Sequence, residues 1–207
     1  LTEALASALA QSMSDLEVIV VDDGSTDETR RVCASFEDHR LHYVYQPNDR
    51  TLGIGARNHA MLLARGEWIA PLDQDDRWAP EKLERQLAAV VGRDSVGAVF
   101  CRVRFIGAMG QPQGEQQAPL PDGDVFHLLL SANRYYVSSG MFRRSLLPRM
   151  GMPHESVAIG DWYLWLSVAR HAQVAALDEV LADYRVHELG FQVAQRSRSA
   201  FRFWLDH

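Results

Sequence analysis

Leu16 to Val21 (LEVIVV) is a short, β-branched and nearly continuous apolar run that stops abruptly at Asp22-Asp23-Gly24. A strand of that composition tolerates water on neither face, so it belongs in a parallel sheet covered on both sides. The neighbouring segments keep to the same plan. Leu1 to Gln11 is an Ala-rich helix with Leu5 and Leu9 on one face. Beyond the acids, Ser25 and Glu28 have the spacing of a capping box, opening a helix to about Phe36. Leu41 to Gln46 reads as a second strand, and Gly53 to Arg65 as a loop and helix closed by Gly66 at C′. Trp68 to Leu72 is a third strand; it too runs into acids, Asp73-Gln74-Asp75-Asp76, before Pro80 opens another helix. Val96 to Arg104 is the fourth. This alternation predicts an α/β fold with a mostly parallel sheet, whose ligands bind at the carboxyl ends of the strands. Both acidic clusters lie at such ends.

From Gly107 to Gly123 (GAMGQPQGEQQAPLPDG), Gly, Pro and Gln replace the apolar periodicity, which predicts a loop. Past it, Asp124 to Ala132 and Asp161 to Arg170 read as helices, and Tyr135 to Phe142 and Ala182 to Val186 as short strands. The expected organisation is one domain over 1–187, with a regular half (1–106) and a less regular half (107–187), then a C-terminal helix over 188–207. Its Arg196, Arg198 and Arg202 stand beside Phe201, Trp204 and Leu205. That pattern suits a helix packed on its own domain or one in peripheral contact with a membrane surface.

The chain of 207 residues is long enough for one sizeable core. Twenty-one Lys and Arg against 27 Asp and Glu give a formal net charge of -6, no footprint for nucleic acid, so an anionic ligand needs a local cation. Cys33 and Cys101 lack zinc or disulfide spacing, and a reducing, cytoplasmic setting is expected. No apolar run approaches the ~20 residues needed to cross a bilayer, and no signal peptide precedes the first helix, so no membrane span is expected.

Asp73 and Asp75, one residue apart at a strand end, can address one cation, or a ribose and a cation together. Mg²⁺ and Mn²⁺ favour such oxygens and complete their shells with phosphate and water. The same acids can equally end a strand and cap the Pro80 helix. Asp22 and Asp23 can accept from a nucleobase N–H or serve turn and cap chemistry. Arg57, near a helix start in Gly53-Ile54-Gly55-Ala56-Arg57-Asn58, suits a base carbonyl or phosphate, or is a surface cation. That segment fails GxGxxG at its last position, so a dinucleotide site is not supported. Asp161 is an N-cap or a general base. His187 stands at a strand end as a candidate metal or phosphate ligand.

Taken together, VVDDGSTDET, GARNHAMLLARGEWIAPLDQDDRW, GDWYLWL and YRVH stand in the order and approximate spacing of family 2 glycosyltransferases with the GT-A fold. The resemblance spans about Leu1 to His187. It implies a Rossmann-like, mostly parallel sheet flanked by helices, with a nucleotide-sugar-binding half over 1–106 and an acceptor and catalytic half over 107–187. The implied activity is inverting transfer of a sugar from a nucleoside diphosphate donor, a UDP-sugar, to a hydroxyl of a saccharide, lipid-linked or protein acceptor. The implied setting is cell-wall or polysaccharide biosynthesis. On this resemblance Asp23 is similar to the uracil-contacting Asp, with Asp22 beside it, and Arg57 to the basic residue near the base or diphosphate. Asp73 is similar to the first Asp of the DxD motif and Asp75 to its ligand for Mg²⁺ or Mn²⁺, supported by Asp76. Asp161 is similar to the catalytic base, although many members have Glu-Asp where this sequence has Gly160-Asp161.

The family pattern begins with a strand, central in the sheet, that ends in a turn containing Pro and Asn. This sequence opens within the helix that follows, so that strand is expected to be missing, with residues before Leu1 in the natural protein. Two other readings use the same acids. A haloacid-dehalogenase-like, Mg-dependent phosphohydrolase would make Asp73 a nucleophile but gives Asp22-Asp23 and Gly160-Asp161 no role. A non-catalytic nucleotide-sugar-binding module would keep the site without turnover.

Overall fold

The computed structural model describes residues 1–49, 51, 53–151 and 160–187. The helix expected over 188–207, and the membrane contact read into it, lie outside those residues. The first helix, α1 (Thr2–Leu9), buries Ala4, Leu5 and Ala8. The LEVIVV run is in register two residues later than its composition suggests. β1 (Val18–Asp23) pairs in parallel with β2 (Leu41–Gln46), from Val18↔Leu41 to Asp23↔Gln46, so both acids belong to the ladder. Apart from Asp22, the β1 residues are half-buried rather than sealed on both faces.

The expected capping box does not form. The Ser25 N–H donates to Asp22 Oδ1 at 2.8 Å, and α2 (Thr29–Ala34) opens with the Thr29 N–H donating to Asp27 Oδ1 at 2.9 Å. The turn closes on a buried carboxylate instead of on a serine. α3 (Ile54–Leu63) ends with Ala64 in extended backbone, not at Gly66. Its exit is taken over by Glu17, whose carboxylate accepts from the N–H groups of Arg65 and Gly66.

Most of the remaining elements build one larger sheet. β3 (Trp68–Ile69) is shorter than expected, and β4 (Arg77–Trp78) was not foreseen. α4 (Lys82–Ala88) and β5 (Val96–Ile106) follow, and then β6 (Pro112–Glu115) inside the segment expected to be loop. α5 (Phe126–Leu129) is a single turn, and a 3₁₀ turn at Val137–Ser139 takes the first part of the strand expected from Tyr135, leaving β7 (Gly140–Arg143). α6 (Gly160–Ala169) precedes β8 (Gln173–Arg185), of which only the end was anticipated.

The strand order is β3-β7-β5-β8-β4, with β6 also on β5. Only β5 and β8 are parallel in this sheet; the other pairs are antiparallel. The architecture is α/β as expected, but its sheet is mixed rather than mostly parallel. A parallel pair needs a long crossover, and the β5-to-β8 connection, which carries α5 and α6, supplies it. That pairing also ties the 1–106 and 107–187 segments into one sheet.

β5 lies at the centre of the core. Its Ala98 and Phe100 pack with Leu164, Trp165 and Val168 of α6, whereas Val99 packs with Leu83 of α4 and Met141 of β7. Alternate residues of one strand therefore serve both helical layers. Phe100 stacks on Tyr135 at 3.8 Å and meets Trp165 edge-on at 4.7 Å. Gly140 makes room for this: a Cβ there would stand 2.4 Å from the Phe100 ring.

Among the described residues the β1-β2 pair is not hydrogen-bonded to the larger sheet. Residues of β1 and β3 line one cleft of about 1130 Å³ between the two. Among the described residues no helix is long and apolar enough to cross a membrane.

Candidate functional site

The cleft is apolar along Val18–Val21 and Met61, and polar where Asp22, Asp23, Arg57, Asp73 and Asp75 converge. The two acids at the end of β1 point into different surroundings, as alternate residues of a strand must. Asp22 is 4% exposed, and its two oxygens accept from the Tyr43 hydroxyl at 2.5 Å and the Ser25 N–H at 2.8 Å. Burial opposes its charge, but the bonds from Tyr43 and Ser25 outweigh it and hold the pKa low. The same bond pushes Tyr43 up to about 12.

Asp23 instead faces the polar loop after β2. Its Oδ1 accepts from Gln46 Nε2 at 2.8 Å and the Asp49 N–H at 3.1 Å, and its carbonyl accepts from Asn48 Nδ2 at 2.9 Å. Gln46 Oε1 meets His59 Nδ1 at 2.8 Å, so with the Gln46 amine committed to Asp23 the imidazole is the donor. Gly24 permits this approach: its φ is +72°, and a Cβ would lie 2.6 Å from the Asn48 nitrogen. Sequence reasoning did not single out Gln46, Asn48, Asp49 or His59. The only signal for them is their position in the loop and helix after β2, facing the end of β1.

On the opposite wall the Arg57 guanidinium pairs with Asp73 Oδ1 at 3.2 Å. Asp73 keeps 38% of its side-chain exposure, yet the dense packing around its carboxyl raises the pKa. Arg57 opposes that rise, while Asp75 and Asp161 add to it. Three carboxylates thus share one electrostatic neighbourhood, an arrangement that a cation relieves. Asp75 Oδ2 meets His187 Nε2 at 2.6 Å.

Asp76 is the buried member of the acidic loop, at 1% exposure. Its oxygens accept from the Ser138 hydroxyl at 2.5 Å and the Arg185 N–H at 2.8 Å. Burial pushes it up to about 7, with those two bonds acting in the opposite sense. Ser138 Oγ also accepts the Asp73 N–H at 3.0 Å, and Arg185 Nε donates to the Asp75 carbonyl at 2.7 Å. Two residues remote in sequence therefore set the loop that carries Asp73 and Asp75. Ser138 lies in no recognisable motif, and only its neighbours in the fold reveal it; Arg185 lay inside the YRVH string without an assigned role.

Asp161 stands in the first turn of α6, its Oδ1 accepting the Trp162 N–H at 2.8 Å and its Oδ2 accepting from Asn133 Nδ2 at 3.3 Å. Its charge adds to the rise of the Asp73 carboxyl and of the Tyr184 phenol. Arg57, Asp73 and Asp75 thus line one opening with Asp23 at the neighbouring strand end, while His187 pairs with Asp75 and the charge of Asp161 acts on Asp73. No set of three or more His, Cys, Asp or Glu side chains among the described residues is arranged to hold a metal alone. The Asp75–His187 pair offers one oxygen and one nitrogen donor, which suits Mn²⁺ or Mg²⁺ only if phosphate oxygens and water complete the shell. That is the donor set expected beside a diphosphate.

Comparison with known proteins gives a consistent picture. The family model described as Glycosyl transferase family 2 matches residues 1–151. The succinoglycan biosynthesis protein ExoO of Rhizobium meliloti is 41% identical over 197 residues, covering 90% of this chain and 56% of that protein. An Escherichia coli UDP-Glc:alpha-D-GlcNAc-diphosphoundecaprenol beta-1,3-glucosyltransferase, WfgD, is 29% identical over 179 residues, covering 86% and 68%. Among solved structures, S. aureus TarS 1-349 in complex with UDP-GlcNAc superposes with a TM-score of 0.75 at 21% identity, covering 99% of this chain and 59% of that one. That likeness shows a shared fold. The chain spans roughly three fifths of the length of several curated relatives it matches, 61% and 59% in two further cases.

Proposed function

Because the chain belongs to glycosyl transferase family 2, we propose that it transfers a hexose from a UDP-sugar to an acceptor hydroxyl with inversion at the anomeric carbon. The observation that carries this reading is the convergence of Arg57, Asp73 and Asp75 with Asp23 at the polar end of one cleft, where the charge of Asp161 also acts on Asp73. The donor side is assigned to 1–106 and the acceptor and catalytic side to 107–187.

Asp23, held by Gln46 and the Asp49 N–H through one oxygen, offers the other to an N–H of uracil. Asp22 supports it by closing the turn rather than by touching the base. Arg57 supplies the local cation that a net acidic chain needs for a diphosphate. Asp73 faces the ribose. Asp75 with His187 would hold Mg²⁺ or Mn²⁺, which supplies Lewis-acid stabilisation of the departing diphosphate when bound. Asp161 takes the proton of the acceptor hydroxyl as that oxygen bonds to the anomeric carbon. The bond from that carbon to the diphosphate oxygen breaks on the opposite face, and its electron pair leaves with UDP. General-base assistance of this kind is worth ~10²–10⁴ in rate.

Two named proteins support the donor class: WfgD is described as using UDP-Glc, and TarS 1-349 was crystallised with UDP-GlcNAc. The direct test is a thermal-shift screen of nucleotide sugars with and without Mn²⁺. Uridine diphosphate sugars are expected to raise the melting temperature only when the metal is present. A metal-dependent response confined to guanosine or adenosine diphosphate sugars would overturn the uridine assignment, and no response to any nucleotide sugar would overturn the donor site.

A further inference from the structure

Arg185 closes β8, where it stands opposite Ile106 of β5. Its side chain is 9% exposed, and its guanidinium is spent on stretches of chain far apart in sequence. Nε donates to the Asp75 carbonyl at 2.7 Å, Nη1 to the carbonyls of Gly107 at 3.1 Å and Ala108 at 2.8 Å, and Nη2 to Glu3 of α1 at 2.5 Å. The two Nη1 acceptors belong to a tight turn between β5 and β6, in which the Gly107 N–H donates to the Gln111 carbonyl at 2.9 Å and the Gly110 N–H to the Gly107 carbonyl at 2.8 Å.

An ion pair by itself would require a carboxylate and nothing more. Here most of the acceptors are neutral carbonyls, which give a charge little to balance. What they need is a planar fork with five N–H donors in fixed directions. A lysine ammonium carries the same charge but donates from a single point on a flexible stem, so it cannot serve acceptors on several sides at once.

The consequence falls on Asp75 and His187. Arg185 holds the Asp75 carbonyl, and His187 follows Arg185 by two residues, with the intervening Val186 N–H bonded to the Ile106 carbonyl at 2.8 Å. The Asp75 and His187 side chains meet at 2.6 Å while staying 36% and 48% exposed. The groups offered to a cation are therefore open, and the residue that spaces their backbones is buried. We propose that Arg185 is a positioning residue for a divalent cation, acting through Asp75 and His187: its fork, rather than its charge, sets the direction from which the two donors meet a metal. This rests on the reading that Asp75 and His187 hold the cation. The turn at Gly107–Gly110 becomes part of the same unit, because its carbonyls occupy Nη1.

Mn²⁺ binding to the 207-residue chain with UDP, followed by the electron paramagnetic resonance signal of free Mn²⁺, tests the proposal without turnover. The titrations are run at a temperature where circular dichroism shows each variant folded, so that a loss belongs to the site. Arg185→Lys keeps the charge and loses the fork, and is expected to weaken Mn²⁺ by about 10–100-fold, the usual effect of removing a group that orients a metal ligand. Arg185→Ala should lose at least as much, and millimolar methylguanidinium should restore binding where methylammonium, of equal charge, does not. Unchanged Mn²⁺ affinity in Arg185→Lys, or equal rescue by the two cations, overturns the proposal. If the Ala variant does not fold, the Lys variant decides alone. Asp75→Ala separates the two readings: binding as tight as in the parent chain overturns the cation site and this inference with it, whereas loss of Mn²⁺ in Asp75→Ala but not in Arg185→Lys overturns only the role of Arg185.

Discussion

Ser138 donates its hydroxyl to Asp76 at 2.5 Å while accepting the backbone N–H of Asp73 on the same oxygen at 3.0 Å. One hydroxyl thereby sets the geometry of the acidic loop from 62 residues away. Ser138→Ala is expected to destabilise the fold by about 1–3 kcal/mol, because it leaves Asp76 buried with one donor fewer. Adding Asp76→Asn removes the charge that lost its partner, so the double variant should recover part of that loss. Urea unfolding of the four chains measures the coupling, and strictly additive effects would show that the two side chains do not act together.

Adjacent acids should respond differently to the same change. Asp22→Ala strands the Tyr43 hydroxyl and the Ser25 N–H, so its main effect is expected on stability, about 1–3 kcal/mol. Asp23→Ala should leave the melting temperature nearly unchanged but weaken UDP binding about ten-fold. Thermal melts with and without UDP separate the two. Equal loss of UDP binding in both variants, with no difference in stability, would contradict the division of labour.

Asp161→Asn is expected to keep UDP-sugar binding and reduce transfer by ~10²–10⁴. Asp75→Ala should abolish the Mn²⁺ dependence of binding, mimicking removal of metal by EDTA from the parent chain. Isothermal titration reads the first quantity and a UDP-release assay the second. Undiminished turnover in the Asp161 variant would remove it from the reaction.

Lys82 predicts a pH dependence. It is fully buried, its ammonium donating to Gln86 Oε1 at 2.8 Å and lying 4.4 Å from the centre of the Trp78 ring. Burial lowers its pKa to about 8 from an ordinary 10.5. Between those values the unfolded chain binds the proton and the folded chain does not, so this residue makes stability rise with pH across that window. Below about pH 8 the full penalty of a buried charge remains, on the order of 3 kcal/mol. Lys82→Met should therefore be stabilising near pH 7, by less than that figure because the ring contact is lost. Its advantage should fade as the pH approaches 10. Parallel melts from pH 7 to 10 test this, and an advantage that does not change with pH would refute it.

Much of the site was legible in the sequence because strand ends are local events. A β-branched run followed by acids marks where β1 stops at Asp22-Asp23, and Asp161 stands in the first turn of α6, the helix read from Asp161 onward; Asp73 and Asp75 lie in a loop beyond β3, which stops at Ile69 rather than Leu72. The capping box at Ser25, the Gly66 terminus and the loop over 107–123 were misjudged for one common reason: a distant group claimed the backbone. Asp22 took the Ser25 N–H, Glu17 took the end of α3, and β5 recruited Pro112–Glu115 as a strand.

What the sequence determined by itself was the alternation of strands and helices around the acids, apart from the short β4 beside Asp76, and the residue types offered there, since these follow from propensity and periodicity over a few residues. Tertiary structure decided the direction of the larger sheet and the different duties of neighbours such as Asp22 and Asp23. It also decided the partners Ser138, Arg185 and Asn133, which no local pattern marks. Those outcomes depend on which backbone and side-chain groups meet across tens of residues, and a buried donor or acceptor takes its partner from whatever the packing brings within hydrogen-bond reach.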